Sequence, residues 1–198
     1  MRKFVLLLAA LGVAAGAGPA GAAGFDGALG ILVFRPLSSE LNSTYAFGPG
    51  LAADFGLVYS AHFRLSVQVS PQMSWGTPEA GSLASAPEGT LLFVPAHGVV
   101  EYAQPVGTFQ AYGGLGAGVL YARESKSFMG PLGEEQRTAT ATRFSWTVMA
   151  GLEKGKRTRA FLEAYYQGAG TSGIEGQSGS GVSLATLQLR VGCRTRLK

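Results

Sequence analysis

The chain has 198 residues, of which 46% are apolar and only 14% are charged. This apolar content excludes intrinsic disorder, because disordered chains are poor in apolar residues and rich in charge. The formal net charge of +4 is too small for the strongly basic surface that binds nucleic acid. The single cysteine, Cys193, has no partner for an intrachain disulfide.

The N-terminus has the three parts of a secretory signal peptide. A positive head at residues 1–3 precedes an apolar run over residues 4–15, and residues 20–22 fit a small-residue cleavage site. An uncleaved anchor is the alternative, but the strongly apolar core of about 12 residues is shorter than the roughly 20 that span a bilayer as a helix. The sequence therefore predicts a signal peptide over residues 1–23 and one domain over residues 24–198.

Beyond residue 23, apolar side chains recur mainly with period two, which is typical of β-strands. In residues 63–70 the alternation is strict, with apolar side chains at odd positions and polar ones at even positions. The pattern returns in residues 143–153 and 187–192. Eight strands are predicted in this way, centred near residues 26–35, 50–60, 62–74, 90–103, 108–122, 139–153, 159–167 and 183–195.

The links between the predicted strands alternate in length. Those after the second, fourth and sixth strands are short, whereas the others are long and polar or Gly-rich: residues 37–47, 76–88, 124–138 and 168–181. A barrel that crosses a bilayer up and down has short turns on one side and long loops on the other. The predicted fold class is therefore all-β, an eight-stranded antiparallel up-and-down transmembrane β-barrel.

The two faces of the predicted strands differ in polarity. A membrane barrel turns its apolar face to lipid and its polar face to the lumen, and the apolar face here ends in tyrosines, as interfacial girdles do: Tyr59, Tyr102, Tyr121 and Tyr166. The polar face carries three acidic and three basic residues: Asp54, Arg64, Glu101, Arg143, Glu163 and Arg190. Because equal numbers of opposite charges can pair, these six are predicted to form a lumen ion-pair network that either fills the core or gates a narrow pore.

Four features coincide in this chain: the signal peptide, the spacing of the eight strands, the Gly-rich long links and the strand Ala111-Tyr112-Gly113-Gly114-Leu115-Gly116-Ala117-Gly118-Val119. Together they resemble the bacterial outer-membrane β-barrel families of OmpA and OmpX type, over essentially the whole mature chain. The resemblance implies an integral barrel in the outer membrane of a bacterial cell. The chain ends Arg196-Leu197-Lys198, whereas such proteins usually end in an aromatic residue.

The sequence contains no local catalytic motif, and we expect a structural or surface-interaction role without catalysis or a cofactor. Two histidines and one cysteine exclude a multi-His or Cys-rich metal site. The expected partners are outer-membrane lipid and a surface partner that contacts the long links, chiefly residues 124–137 and 168–181. Nucleic acid is not expected as a partner, and the protein is expected to be a monomer.

Two alternatives stay open. The first is a lipid-modifying outer-membrane hydrolase, in which His97 or His62 would meet a serine and an acid across the wall. The second is a soluble periplasmic or secreted β-barrel that binds a hydrophobic ligand, which the missing terminal aromatic residue favours. The second alternative requires the apolar stripe of each strand to point inward.

Overall fold

A computed structural model describes residues 24–45, 47–76, 89–130, 133–172 and 182–197, so the predicted signal peptide lies outside the described residues. No helix in these ranges is long and apolar enough to cross a membrane. The elements in chain order are β1 Gly24–Pro36, α1 Ser39–Thr44, β2 Gly48–Val58, β3 Phe63–Val69, β4 Gln72–Trp75, β5 Gly89–Val106, β6 Phe109–Gly130, β7 Gly133–Gly155, β8 Thr158–Ala169, β9 Thr171–Ser172, β10 Val182–Ser183 and β11 Thr186–Leu197.

The strands form one closed antiparallel wall. Its order is β1-β11-β8-β7-β6-β5-β3-β2, and β1 pairs with β2 as well as with β11. After Ser70 and Pro71, β4 continues the path of β3 and pairs with the same two neighbours. The break falls at Pro71 because proline has no N–H to donate, while its carbonyl oxygen still accepts from the N–H of Leu51 at 3.0 Å. Eight positions therefore ring the wall, which confirms the predicted fold class.

The short turns all lie at one end of the barrel, which we call the short-turn end. They are residues 59–62, 107–108 and 156–157. In the second of them Gly107 has a φ of +60°, a left-handed conformation that glycine adopts without the steric cost of a Cβ atom. The opposite end carries the other links, and three of the four predicted there are long.

The predicted long link over residues 124–138 is wrong. β6 and β7 continue as a ladder up to Gly130 and Gly133, and Lys126 lies opposite Arg137. Period-two hydrophobicity could not detect this extension, because a ribbon that leaves the bilayer needs no apolar face. For the same reason the link over residues 168–181 begins with strand residues that were predicted as loop, the last two of β8 and the short β9.

The outer face of the wall is apolar and the inner face is polar over much of its length. Leu29 is 72% exposed and Phe144 is 67% exposed, although both lie in the middle of strands. Aromatic rings stack on the outer face near its ends: Phe25 on Phe55, Phe63 against Tyr102 and Trp146 against Tyr166. All four tyrosines predicted for the girdles lie on this face, with exposures of 37–52%.

Cys193 tests which medium surrounds the wall. Its side chain is exposed on the outer face of β11, between Leu29 of β1 and Ala160 of β8. In lipid vesicles we expect Cys193 of the folded protein to resist a charged maleimide and to react fully after unfolding, because the hydrocarbon region excludes a charged reagent. An Arg157→Cys variant in a Cys193→Ser background is the control, since it places the thiol in a short turn and should react at once. Rapid reaction of Cys193 in folded, vesicle-bound protein would contradict a lipid-facing wall.

Candidate functional site in the barrel lumen

The half of the lumen nearest the long links holds a cluster of apolar side chains, which we call the apolar plug. Its buried members are Leu32, Phe34, Leu41, Tyr45, Ala52, Leu91, Phe93, Leu120, Ala122, Ala141 and Leu184. The rings of Phe34 and Phe93 meet edge to face, with centroids 5.8 Å apart. Such close packing leaves the interior here a core rather than a channel.

Helix α1 completes the apolar plug. The Oγ of Ser38 caps the helix by accepting from the N–H of Leu41 at 3.2 Å, as is typical of an N-cap serine. Leu41 and Tyr45 are thereby turned into the barrel, and the Tyr45 hydroxyl donates to Glu124 at 3.1 Å. Burial, followed by the neighbouring Glu124 carboxylate, raises the pKa of Tyr45, so this hydroxyl remains a donor at all physiological pH values.

The half of the lumen nearest the short turns contains charged residues, which we call the lumen network. Its members are Asp26, Asp54, Arg64, Glu101, Glu153, Arg159, Glu163, Arg190 and Arg194. They come from seven of the eight strand positions of the wall. All are buried except Arg159, whose side chain is 16% exposed. Charges buried to this degree require partners, and each member has at least one ion-pair partner within the network.

Arg64 and Arg159 are the two network arginines that lie nearest the short turns, and both bind Asp26. The Nε and Nη2 atoms of Arg64 donate to Glu101 at 2.9 and 2.6 Å, and its Nη1 donates to Asp26 at 3.3 Å. Arg159 donates to the same Asp26 oxygen through Nη2 and to Glu153 through Nη1, the latter at 2.7 Å. Asp26 therefore receives both guanidinium groups on one oxygen, Oδ2.

Arg194 and Arg190 are buried more deeply than Arg64 and Arg159. Arg194 donates to Glu153 at 2.8 Å and to Glu163 at 3.1 Å, while Arg190 donates to Asp54 at 2.8 Å and lies 3.5 Å from Glu163. Arg194 also lies within 4.0 Å of Asp54 and Glu101. Among the described arginines of the network, Arg194 therefore lies near the largest number of carboxylates, four of the five.

Tyrosines complete the coordination of Glu163. The hydroxyl of Tyr112 donates to one of its oxygens at 2.5 Å and that of Tyr165 to the other at 3.0 Å. Their rings also lie against guanidinium groups, with Arg190 4.5 Å from the Tyr165 centroid and Arg194 5.3 Å from that of Tyr112. Such contacts stabilise an arginine where water is absent.

The structure brings five of the six predicted site residues into this network and places the sixth elsewhere. Asp54, Arg64, Glu101, Glu163 and Arg190 meet in the lumen. Arg143 lies opposite Leu120, at the level of the apolar plug, and its Nη1 donates to the carbonyl oxygen of Thr142. Period-two alternation identifies the face of a strand but not the height along the barrel axis, and height separates Arg143 from the others.

Four network members were missed by the sequence analysis: Asp26, Glu153, Arg159 and Arg194. Period two gave a usable signal for each of them. Asp26 follows the outward-facing Phe25, and Arg194 lies four residues after Arg190 and so shares its face. Arg159 lies four residues before Glu163 and so shares its face, and Glu153 lies on the polar face of the alternation over residues 143–153.

A histidine and a serine meet between the two halves of the lumen. The Nε2 atom of His97 lies 2.7 Å from the Oγ of Ser145, and the two residues are 6% and 0% exposed. His62 lies at the short-turn end instead, where its Nδ1 donates to the carbonyl oxygen of Ala103 at 2.9 Å. The two histidines therefore occupy separate places, and of the two only His97 is buried in the described part of the lumen.

No protein-family model and no curated protein matches the chain. Among solved structures, Neisserial surface protein A is similar over 89% of this chain and all of that chain, with 14% sequence identity and a TM-score of 0.60. The outer membrane protein OprG from Pseudomonas aeruginosa is similar over 89% of this chain and 96% of that chain, with 13% identity and a TM-score of 0.56. The outer membrane protease OmpT from Escherichia coli matches at 7% identity with a TM-score of 0.49, which is too distant to bear on activity.

The closed wall of eight strand positions, the apolar exterior and this structural likeness define the class. The chain has the fold of the small bacterial outer-membrane β-barrel proteins, as its resemblance to the OmpA and OmpX type implied. Its apolar outer face and its fold indicate the outer membrane as its location.

Proposed function

We propose that the protein is an integral outer-membrane β-barrel with a structural or surface-interaction role and without catalysis or a cofactor. The filled lumen is the observation that carries this proposal. The apolar plug occupies one half and the lumen network the other, as expected for a barrel of eight strands, whose interior is only wide enough for side chains. The surfaces that remain for function are the wall, which contacts lipid, and the end that carries the long links.

The ribbon formed by β6 and β7 is the strongest candidate for contact with a surface partner. These strands have 22 and 23 residues, whereas about 9–11 suffice to cross the membrane. The part beyond the bilayer is polar and braced by side chains, with Gln136 donating to Ser125 at 3.0 Å and Lys126 2.9 Å from Glu124. A hydrogen-bonded ribbon that projects from the membrane can hold a partner with a smaller entropy loss than an unpaired loop.

Two observations oppose the alternatives. The outward exposure of the apolar stripe, seen at Leu29 and Phe144, is the reverse of what a soluble barrel with an internal hydrophobic ligand requires. A hydrolase that uses His97 needs an open route to it, and the packing around His97 and Ser145 provides none among the described residues. The proposed role as a monomeric, non-catalytic barrel needs neither feature.

Fractionation tests the location and the barrel together. We expect the processed chain in the outer-membrane fraction, with a heat-dependent change of migration in detergent gels, because a closed barrel resists unfolding by detergent until it is heated. The N-terminal sequence of this material should begin near Gly24. Recovery in the periplasm, with no change of migration on heating, would overturn the proposal.

Substitution of His97 tests the absence of catalysis. We expect a His97→Ala variant, expressed at the level of the unsubstituted protein, to leave the lipid composition of the envelope the same as that protein does. Exposed His62→Ala is the matched control, since it removes the other histidine without touching the lumen pair. A change in envelope lipids that expression of the unsubstituted protein causes and His97→Ala abolishes would establish an enzyme instead.

A further inference from the structure

Arg35 is an exposed arginine on the outer face of β1, near the end that carries the long links. The residues that precede it on this face of the strand carry no charge: Phe25, Gly27, Leu29, Ile31 and Val33. Arg35 follows Phe25 by ten residues, which is about 33 Å along a strand and about 25 Å along the barrel axis at a tilt of about 40°. The apolar band of an outer-membrane barrel has this height. Arg35 therefore lies at the level of the lipid head groups, on the outer side, because the longer loops of such barrels are extracellular.

Two neighbours hold the guanidinium group of Arg35. Its Nε donates to Oδ1 of Asn42 in helix α1 at 2.9 Å, and its central carbon lies 5.4 Å from the centroid of the Phe47 ring. Among the described residues Asn42 is the hydrogen-bond partner of this side chain, so Nη1 and Nη2 form an open fork. Such a planar fork can donate two parallel hydrogen bonds to two oxygens of one anion. The two contacts orient the fork before a ligand arrives, which lowers the entropy cost of binding.

The surroundings of Arg35 fit a lipid. Phe47 is 64% exposed and Trp75 is 53% exposed, and the Oγ of Ser74 joins their strands by donating to the carbonyl oxygen of Phe47 at 3.1 Å. Aromatic side chains at a membrane boundary lie at the level of the head groups. Leu187, opposite Arg35 on β11, adds exposed apolar surface beside the cation. A lipid can cover this surface with its acyl chains while its head group meets the fork, whereas a soluble anion can meet only the fork.

We propose that Arg35 binds the phosphate group of an anionic lipid in the outer leaflet. Nη1 and Nη2 donate to two phosphate oxygens, and the acyl chains lie against Val33 and Leu187. This inference rests on the lipid-facing wall of the barrel proposed above, and it names the lipid chemistry that one place on the wall selects. A phosphate monoester is favoured over the diester of a zwitterionic lipid, because it carries up to about two negative charges and no ammonium group competes for its oxygens.

Brominated lipids test the site, because bromine on an acyl chain quenches the fluorescence of a tryptophan that it contacts. A Leu187→Trp reporter lies beside Arg35, and Trp75→Phe with Trp146→Phe makes it the single tryptophan. The folded protein is placed in phosphatidylcholine vesicles that contain either brominated phosphatidic acid, a phosphate monoester, or brominated phosphatidylcholine. We expect phosphatidic acid to bind beside the reporter about fivefold more tightly than phosphatidylcholine. Arg35→Gln should reduce this ratio to about one, and Arg35→Lys, which keeps the charge without the fork, to about two.

Arg123 provides the matched control. It is an exposed arginine on the outer face of β6 at the same end, but no acceptor or ring holds its guanidinium group within the described part of the chain. A Leu92→Trp reporter lies opposite Arg123 and should show a ratio of about two or less. Equal selectivity at the two reporters would show general attraction to exposed cations and would overturn the site. An unchanged ratio in Arg35→Gln or Arg35→Lys would overturn it as well.

The same vesicles separate failure of this site from failure of the proposed barrel. Brominated phosphatidylcholine should quench both reporters in every variant, because both positions face lipid. If it quenched neither, the wall would not lie in lipid and the proposed function would fail together with the site. If phosphatidic acid and phosphatidylcholine quenched the Leu187→Trp reporter equally, the wall would lie in lipid and only the phosphate site would be overturned.

Discussion

Replacement of Arg194 by methionine is expected to lower the free energy of unfolding by about 3–5 kcal/mol, the cost of leaving buried carboxylates without their cation. Arg194 is 1% exposed and donates to Glu153 and Glu163. Its loss would leave the five carboxylates of the lumen network with three guanidinium groups instead of four. Urea-induced unfolding in lipid vesicles, followed by tryptophan fluorescence, measures the change.

Two further variants separate charge from packing at this position. Arg194→Lys keeps the charge but cannot form the two directed hydrogen bonds of a guanidinium group, so its loss of stability should lie between zero and that of Arg194→Met. Arg157→Met removes an exposed arginine from a short turn and should change stability little. If Arg194→Met were as mild as Arg157→Met, the ion pairs of Arg194 would contribute nothing to the fold.

Truncation of Phe93 to alanine is expected to cost about 3–5 kcal/mol, for a different reason. Phe93 is fully buried in the apolar plug against Phe34. Removing the ring loses its transfer free energy and also leaves a cavity that helix α1 and the surrounding strands cannot close. The same urea titration measures the effect.

The control for this variant is a phenylalanine on the outer face. Phe144→Ala also loses transfer free energy, but lipid chains occupy the space of the missing ring, so no cavity remains. The loss of stability in Phe144→Ala should therefore be clearly smaller than in Phe93→Ala. Equal losses would mean that the region around Phe93 is not packed as a core.

The two halves of the lumen stabilise the barrel by different means. The apolar plug near the long links depends on close packing, and the lumen network near the short turns depends on paired charge. The network contributes only while every member is present, because a buried charge without a partner is strongly destabilising. Substitutions in the plug should therefore have graded effects with the volume removed, whereas loss of any one network arginine should have a large effect.

The architecture could be predicted from the sequence because apolar and polar residues alternate along a strand and so identify its two faces. The alternation over residues 63–70 assigned Arg64 to the lumen and Phe63 to the lipid side without any tertiary information. Lengths of the links then distinguished the two ends of the barrel. Both signals are local, so folding does not alter them.

The sequence could not show which lumen residues meet. Arg64 pairs with Asp26, which lies 38 positions away in the chain, and Arg194 pairs with Glu153, which lies 41 positions away on a strand that is not a hydrogen-bonded neighbour of β11. Such contacts depend on the stagger of the strands around the wall, which no single strand encodes. The stagger joined five of the predicted residues, and it placed Arg143 at the level of the apolar plug instead.

The apolar plug was hidden from sequence analysis for a related reason. In β1 and β5 both faces are apolar near the long links, as at Val33 and Phe34 or Leu91 and Leu92, so alternation there does not tell lumen from lipid. The sequence by itself determined the barrel, its two ends and most of its inner face, because these follow from local periodicity. Only the tertiary structure decided how the lumen is filled, because closure of the wall brings distant strands within the reach of one side chain.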